Sequence, residues 1–294
     1  MINGAAMIAP QKDLATIPDE QMFENNRKQG MLGSAVVIAE LIFHTIVRDV
    51  RKTHSNAFIA LIKNMMTIFI FVTVFYLFFA VLQIRGIAVR GDFMLYLMSG
   101  IFLFLTHIRA VSSVVNSEGP GSPMMQHAPM STAIAIASAA LGALYIQLLS
   151  MLLILAGYHM FITPITILNP GGAFAMLMLA WISGCSVGLV LLSLKPWFPT
   201  FVSLATTFYQ RANMVASGKM FLANSLPSYM LAMFEWNPLF HTIDQARGFV
   251  FVNYFPRVTS WEYVVWLTII LTMVGLMGEF FTRKHASASW NARR

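Results

Sequence analysis

The chain has 294 residues, 57% of them hydrophobic and 11% charged, with a formal net charge of +7. Soluble domains carry about 25% charged residues, so the composition excludes an ordinary water-soluble globule and points to a one-domain polytopic membrane protein. The single cysteine, Cys185, excludes an intrachain disulfide and a thiolate metal cluster, and the positive charge calls for no nucleic acid, because Lys and Arg gather on cytoplasmic loops and near anionic headgroups.

Residues 1–33 read as a polar cytoplasmic tail; they lack the basic start and apolar core of a cleavable signal peptide. An amphipathic helix follows at 34–53, with Ser34 able to cap its start. Glu40, His44, Arg48 and Arg51, spaced four, four and three apart, form one polar stripe on it. So many polar groups make crossing the bilayer costly, so this helix is expected to lie in the membrane interface. A weakly hydrophobic first span is the alternative.

Six apolar segments are expected to span, at about 59–84, 93–115, 131–158, 172–194, 199–220 and 261–282. Each is near the twenty residues a helix needs to cross the hydrocarbon. A helix is required because every backbone N–H and C=O must find a partner within the segment. Lys12, Arg27, Lys28, Arg48, Arg51 and Lys52 precede the first span, and Arg283, Lys284, Arg293 and Arg294 end the chain. That bias puts both termini, including the tail 284–294, on the cytoplasmic side. The loop "NSEGPGSPMMQHAPMS" at 116–131 is then cytoplasmic, and its Gly and Pro residues prevent a long helix.

Residues 221–260 fall on the far side and hold two short apolar pieces, "SYMLAMF" and "PLFHTIDQARGFVF". Neither is long enough to span. Pro227 and Pro238 sit where proline is tolerated at a helix start, and Asn237 can cap the second piece. The expectation is a pair of re-entrant helices forming an extracytoplasmic gate with Trp236, Asn237, Pro238, Asp244 and Arg247. Asp244 and Arg247, three apart, are placed to pair. A solvated helix on the outer surface is the alternative.

Lys63, Arg109, Arg211 and Lys219 fall in or near spans, where charges default to functional candidates. Arg211 sits in mid-span, whereas Lys63, Arg109 and Lys219 lie close enough to span ends to snorkel. The histidines are scattered; His107 and His159, near span ends, read as structural. "ASGKM" at 216–220 lacks the first glycine and the Ser/Thr of a phosphate loop. No metal-ligand motif and no nucleophile elbow is present, so catalytic and metal residues are expected to be none.

An interface helix, six spans, a cytoplasmic loop after span 2 and two short helices before span 6 resemble the membrane subunits of type-2 ABC exporters. "SGKMF" at 217–221, "LP" at 226–227, "RANMVASG" at 211–218 and "WNPLFHTIDQARG" at 236–248 are similar to the capsular and O-antigen polysaccharide branch, the KpsM-like and Wzm-like permeases. The resemblance covers residues 34–283. It implies ATP-driven export of a polysaccharide, often lipid-linked, across the bacterial inner membrane through a channel made by two copies. ATP and Mg would be bound by a separate ATPase subunit, with no cofactor in this chain. In Gram-negative cells, further partners reach the outer membrane. The resemblance implies ATPase coupling through Glu40, His44, Arg48 and Arg51 and, in the loop, Asn116, Met124, Met125 and His127. Phe75, Tyr76, Phe208 and Tyr209 are candidates for stacking on sugar faces along the path, with Arg211 and Lys219 drawing anionic groups.

Two other readings stay open. One is a type-2 exporter of small lipophilic molecules or of a teichoic-acid-like polymer. The other is a polytopic membrane transferase, using Asp92, Glu235, Asp244 and Glu262 on the far face.

Overall fold

The structure is a computed structural model that describes residues 38–47, 57–82, 92–117 and 132–285. The tail 1–33, Arg48, Arg51, Met124, Met125, His127 and residues 286–294 lie outside the described residues. The packing described below belongs to the described residues from Leu41 onward.

The described residues are helical, with no strand among them. The helices are α1 (Ile38–Val47), α2 (Ala57–Val81), α3 (Phe93–Val115), α4 (Thr132–Phe161), α5 (Pro170–Leu194), α6 (Pro199–Ala216), α7 (Ser228–Phe234), α8 (Pro238–Val250) and α9 (Trp261–His285). Five of them, α2, α3, α4, α5 and α9, are long and apolar enough to cross a membrane. That number fits a multi-pass membrane protein. The segment at 199–220 forms a helix too, but of 18 residues, about 27 Å long, and Gln210, Arg211 and Asn213 dilute its apolar character.

Helix α3 is the centre of the bundle, packed by α2, α4, α5, α6 and α8. Every residue from Leu95 to His107 is buried. The α3–α5 contact is close because α5 offers glycines to it. A Cβ on Gly184 would lie 2.5 Å from the His107 carbonyl oxygen, and one on Gly188 would lie 2.8 Å from Val114 Cβ. The α9–α5 contact works the same way, with Gly275 against Leu189 and Gly278 against Ser193. Apolar surface gains little by leaving lipid, so close backbone approach through small residues is what binds helices there.

Polar side chains staple the remaining joints. Asn64 of α2 donates to Gln147 Oε1 at 3.1 Å and Ser150 Oγ at 2.7 Å on α4. Asp92 caps α3 by accepting from the Met94 N–H at 2.9 Å, and it also accepts from the Tyr158 hydroxyl and, at 2.9 Å, from Thr163. Burial pushes the Asp92 carboxyl up, but these hydrogen bonds outweigh it and hold it below the usual carboxylate range. At the other end of α3, Lys195 Nζ donates to the free Val115 carbonyl at 2.7 Å, a cation at the negative end of a helix. Asn169 and Asn237 cap α5 and α8, each followed by a proline at the first helical position.

Candidate functional site

The segment between α6 and α9 brings most of the buried charge together. Its two short helices form where the sequence places them, and α8 does not lie solvated on the surface. Leu239, Ile243, Ala246 and Val250 join the core shared with α3 and α5, and ten of its residues are buried, from Pro238 to Val250. Helix α7 buries none of its residues.

The chain between α6 and α7 is not helical at Gly218, whose φ of +73° is a left-handed conformation. A Cβ there would also meet the Phe240 ring at 2.6 Å. Such a turn leaves carbonyls without helical partners, and here they are buried, so each needs a donor. Three side chains supply them. Arg247 Nη1 donates to Gly218 O at 2.9 Å and to Phe221 O at 2.8 Å, and its Nη2 donates to Lys219 O at 2.6 Å. Asn237 Nδ2 donates to Ala216 O and to Asn213 Oδ1, both at 3.0 Å, while its Oδ1 accepts from the Leu239 N–H. Lys219 Nζ donates back to Met214 O in the last turn of α6.

The expected Asp244–Arg247 pair does not form. The two side chains leave α8 toward different backbone segments. Asp244 accepts from the Tyr254 hydroxyl, from Thr259 Oγ1 at 2.8 Å and from the Ala223 N–H at 3.4 Å. Arg247 stacks on the Tyr96 ring, with Cζ 4.1 Å from its centroid. Burial, reinforced by the Asp244 charge, raises the Tyr254 phenol above its ordinary pKa. His241 completes the clamp. Its Nδ1 accepts from the Ser260 N–H at 3.0 Å, so the ring proton is on Nε2, which donates to Glu235 O at 2.6 Å. Burial lowers its pKa, against the opposing pull of the Glu235 carbonyl.

The candidate path residues differ in their burial. Tyr76, Phe208 and Arg211 are exposed on the outside of the chain. Phe75 and Lys219 are buried. Lys219 does not snorkel to a surface; its Nζ sits 3.8 Å above the Phe104 ring centroid and 5.2 Å from that of Phe75. Rooted in a buried turn with the rings closed over it, the ammonium has aromatic faces and one carbonyl in the place of water. Tyr209 is half-buried. Trp236 is exposed, beside the buried Asn237 and Pro238. Arg109 is half-buried on α3 and has no hydrogen-bond or ion-pair partner among the described residues. Glu40 and His44 are exposed one turn apart on α1, and Asn116 is exposed at the end of α3.

Sequence reasoning put His107 near a span end. It lies eight residues inside α3, about 12 Å from the helix end, and is fully buried between α5 and α6. Its Nδ1 is 2.9 Å from Ala180 O, and its Nε2 is 2.8 Å from Tyr209 Oη. The signal for it was a strongly polar side chain inside an apolar run, as for Asn64 and Gln147. Among the described residues, no three His, Cys, Asp or Glu side chains converge as they would around a metal ion.

No family model matches the chain, and no curated protein matches it.

Proposed function

We propose that this chain is the membrane-spanning half of an ATP-driven exporter. In this reading α2–α6 and α9 are six spans, α1 lies in the interface, and α7 and α8 dip in from the extracytoplasmic side. Both termini then face the cytoplasm of a bacterial inner membrane.

One observation carries the proposal. Helix α6 turns Phe201, Leu204, Phe208, Arg211 and Val215 outward, all of them exposed. They are spaced three or four apart and so share one face. Toward lipid, Arg211, five residues from the end of α6, would carry part of the roughly 2.5–3.5 kcal/mol that a charge costs at mid-membrane. A second copy turning the same stripe inward removes that cost. It also gives the wall of a path both aromatic faces and a cation. Flat apolar faces suit the C–H surfaces of sugars, and a guanidinium suits anionic groups on the polymer or on a pyrophosphate-linked lipid. A polysaccharide is therefore the cargo this wall fits best. In this reading the ATPase is a separate subunit, biasing a two-state membrane dimer through the cytoplasmic side; these 294 residues carry no phosphate loop.

The test is purification of the chain from its own cells with whatever ATPase accompanies it. The expected result is a complex with two copies of each subunit, whose ATP hydrolysis rises with a lipid-linked polysaccharide and not with the lipid alone. A chain that purifies without an ATPase and transfers acyl or sugar groups by itself would overturn the reading.

A further inference from the structure

Helix α6 carries the exposed stripe, yet only Val202 and Asn213 are buried along it. Val202 packs with Val111 and Val115 of α3 near one end. Asn213 is held by Asn237 near the other. Between them, one polar side-chain bond ties the helix to the bundle, from Tyr209 Oη to His107 Nε2 at 2.8 Å.

The donor and acceptor in that bond are set by its surroundings. Ala180 O only accepts, so the proton on His107 is at Nδ1, 2.9 Å from that carbonyl, and Nε2 presents its lone pair to the Tyr209 hydroxyl. Ser183 Oγ, 3.1 Å from Nδ1, donates to the same Ala180 carbonyl. The acceptor is rigidly mounted. It stands where Gly184 lets α5 press against the His107 backbone, leaving no room for a Cβ. The donor is on the least enclosed of the long helices. A neutral hydrogen bond is modest in net strength, so it can define a position and still be broken in a cycle.

We propose that Tyr209 and His107 form a latch that holds α6 against the α3–α5 core. Opening it frees the middle of α6 to swing outward while its ends stay attached. Phe208 and Arg211 flank Tyr209, so the latch sets where the exposed stripe stands. His107 is thereby a positioning residue. The meaning of the latch for transport rests on the reading of α6 as a path wall; the latch itself does not.

The test is amide hydrogen exchange on the purified chain, with Tyr209→Phe and His107→Phe as separate variants and combined. Each removes one partner and keeps a ring in place. Exchange across 203–216 should quicken roughly three- to tenfold in either single variant, by the net worth of one hydrogen bond. The double variant should be no faster than the single ones, because both remove the same bond. Exchange in α3 and α5 should stay unchanged in Tyr209→Phe, which leaves the His107–Ala180 bond in place. An unaltered rate in α6, or equal acceleration in all three helices, would overturn the latch. No ATPase or cargo enters the measurement, so it stands or falls apart from the exporter reading.

Discussion

The Arg247 guanidinium donates to the carbonyl of Gly218, 29 residues earlier, at 2.9 Å. The same planar fork reaches Lys219 O and Phe221 O. A left-handed turn in apolar surroundings is stable only if its carbonyls are answered, and one arginine answers three. Lysine keeps the charge but offers a single point of donation on a flexible stem. Arg247→Lys should therefore leave at least one buried carbonyl unpaired and destabilise the chain by about 1–3 kcal/mol. A lower apparent melting temperature in detergent, with a smaller monodisperse fraction, is the expected reading; an unchanged melting temperature would contradict the clamp.

Asn237 separates two roles that are usually confounded. Its Oδ1 caps α8, and its Nδ2 donates to Ala216 O and Asn213 Oδ1. Aspartate caps a helix as well as asparagine does, but it has no N–H to give and places a carboxylate beside a carbonyl. Asn237→Asp should consequently destabilise about as much as Asn237→Ala, by roughly 1–3 kcal/mol. If Asp were tolerated and Ala not, capping alone would explain the residue.

His241 makes the clamp depend on pH. Its folded-state pKa lies below the unfolded value of about 6.5, so the unfolded chain takes up the proton first. The stabilisation is complete above about pH 6.5 and falls away as the pH drops through the folded-state pKa. Protonation also puts an N–H on Nδ1, facing the Ser260 N–H that it now accepts. The native chain should lose thermal stability as the pH falls below about 6.5, and His241→Gln should flatten that slope, though with a lower starting point. Parallel slopes would remove His241 as the cause.

Much of this architecture was legible in the sequence because membranes demand long apolar helices. The α3 bounds, the "SYMLAMF" helix and the Asn–Pro start of α8 all follow from local chemistry, namely hydropathy, proline and capping. The partners of the buried charges were not legible. Asp244 and Arg247 share a helix face, and spacing alone pairs them. Their real partners, hydroxyls and an N–H for Asp244 and backbone carbonyls for Arg247, come beside α8 only in the folded chain, and carbonyl acceptors carry no signature in a sequence. Lys219 was misplaced for the same reason: distance along the chain to a span end says nothing of the Phe75 and Phe104 rings closing over it.

Two glycines test whether close helix approach is a requirement or an accident. Gly184 has no space for a Cβ, with His107 O at 2.5 Å and Ala110 Cβ at 2.9 Å; Gly157 on α4 has nothing within 4 Å. Gly184→Ala must push α3 from α5 and should destabilise by about 1–3 kcal/mol. Gly157→Ala should be neutral or stabilise by up to about 1 kcal/mol through helix propensity. Opposite signs in thermal unfolding are the expected outcome, and a loss of similar size at both would count against the packing account.

Arg211 separates function from stability. It is exposed on α6 and makes no hydrogen bond or ion pair among the described residues, so truncating it removes nothing the fold uses. Arg211→Gln should shift stability by less than about 0.5 kcal/mol. If the stripe lines a path for an anionic polymer, the same change should slow export about tenfold, the worth of one charge-assisted contact. Arg211→Lys keeps the charge without the fork and should fall between the two. Surface polysaccharide per folded transporter is the quantity to measure. Normal export by Arg211→Gln would take the cation off the path, and with it the reason for a second copy to cover α6.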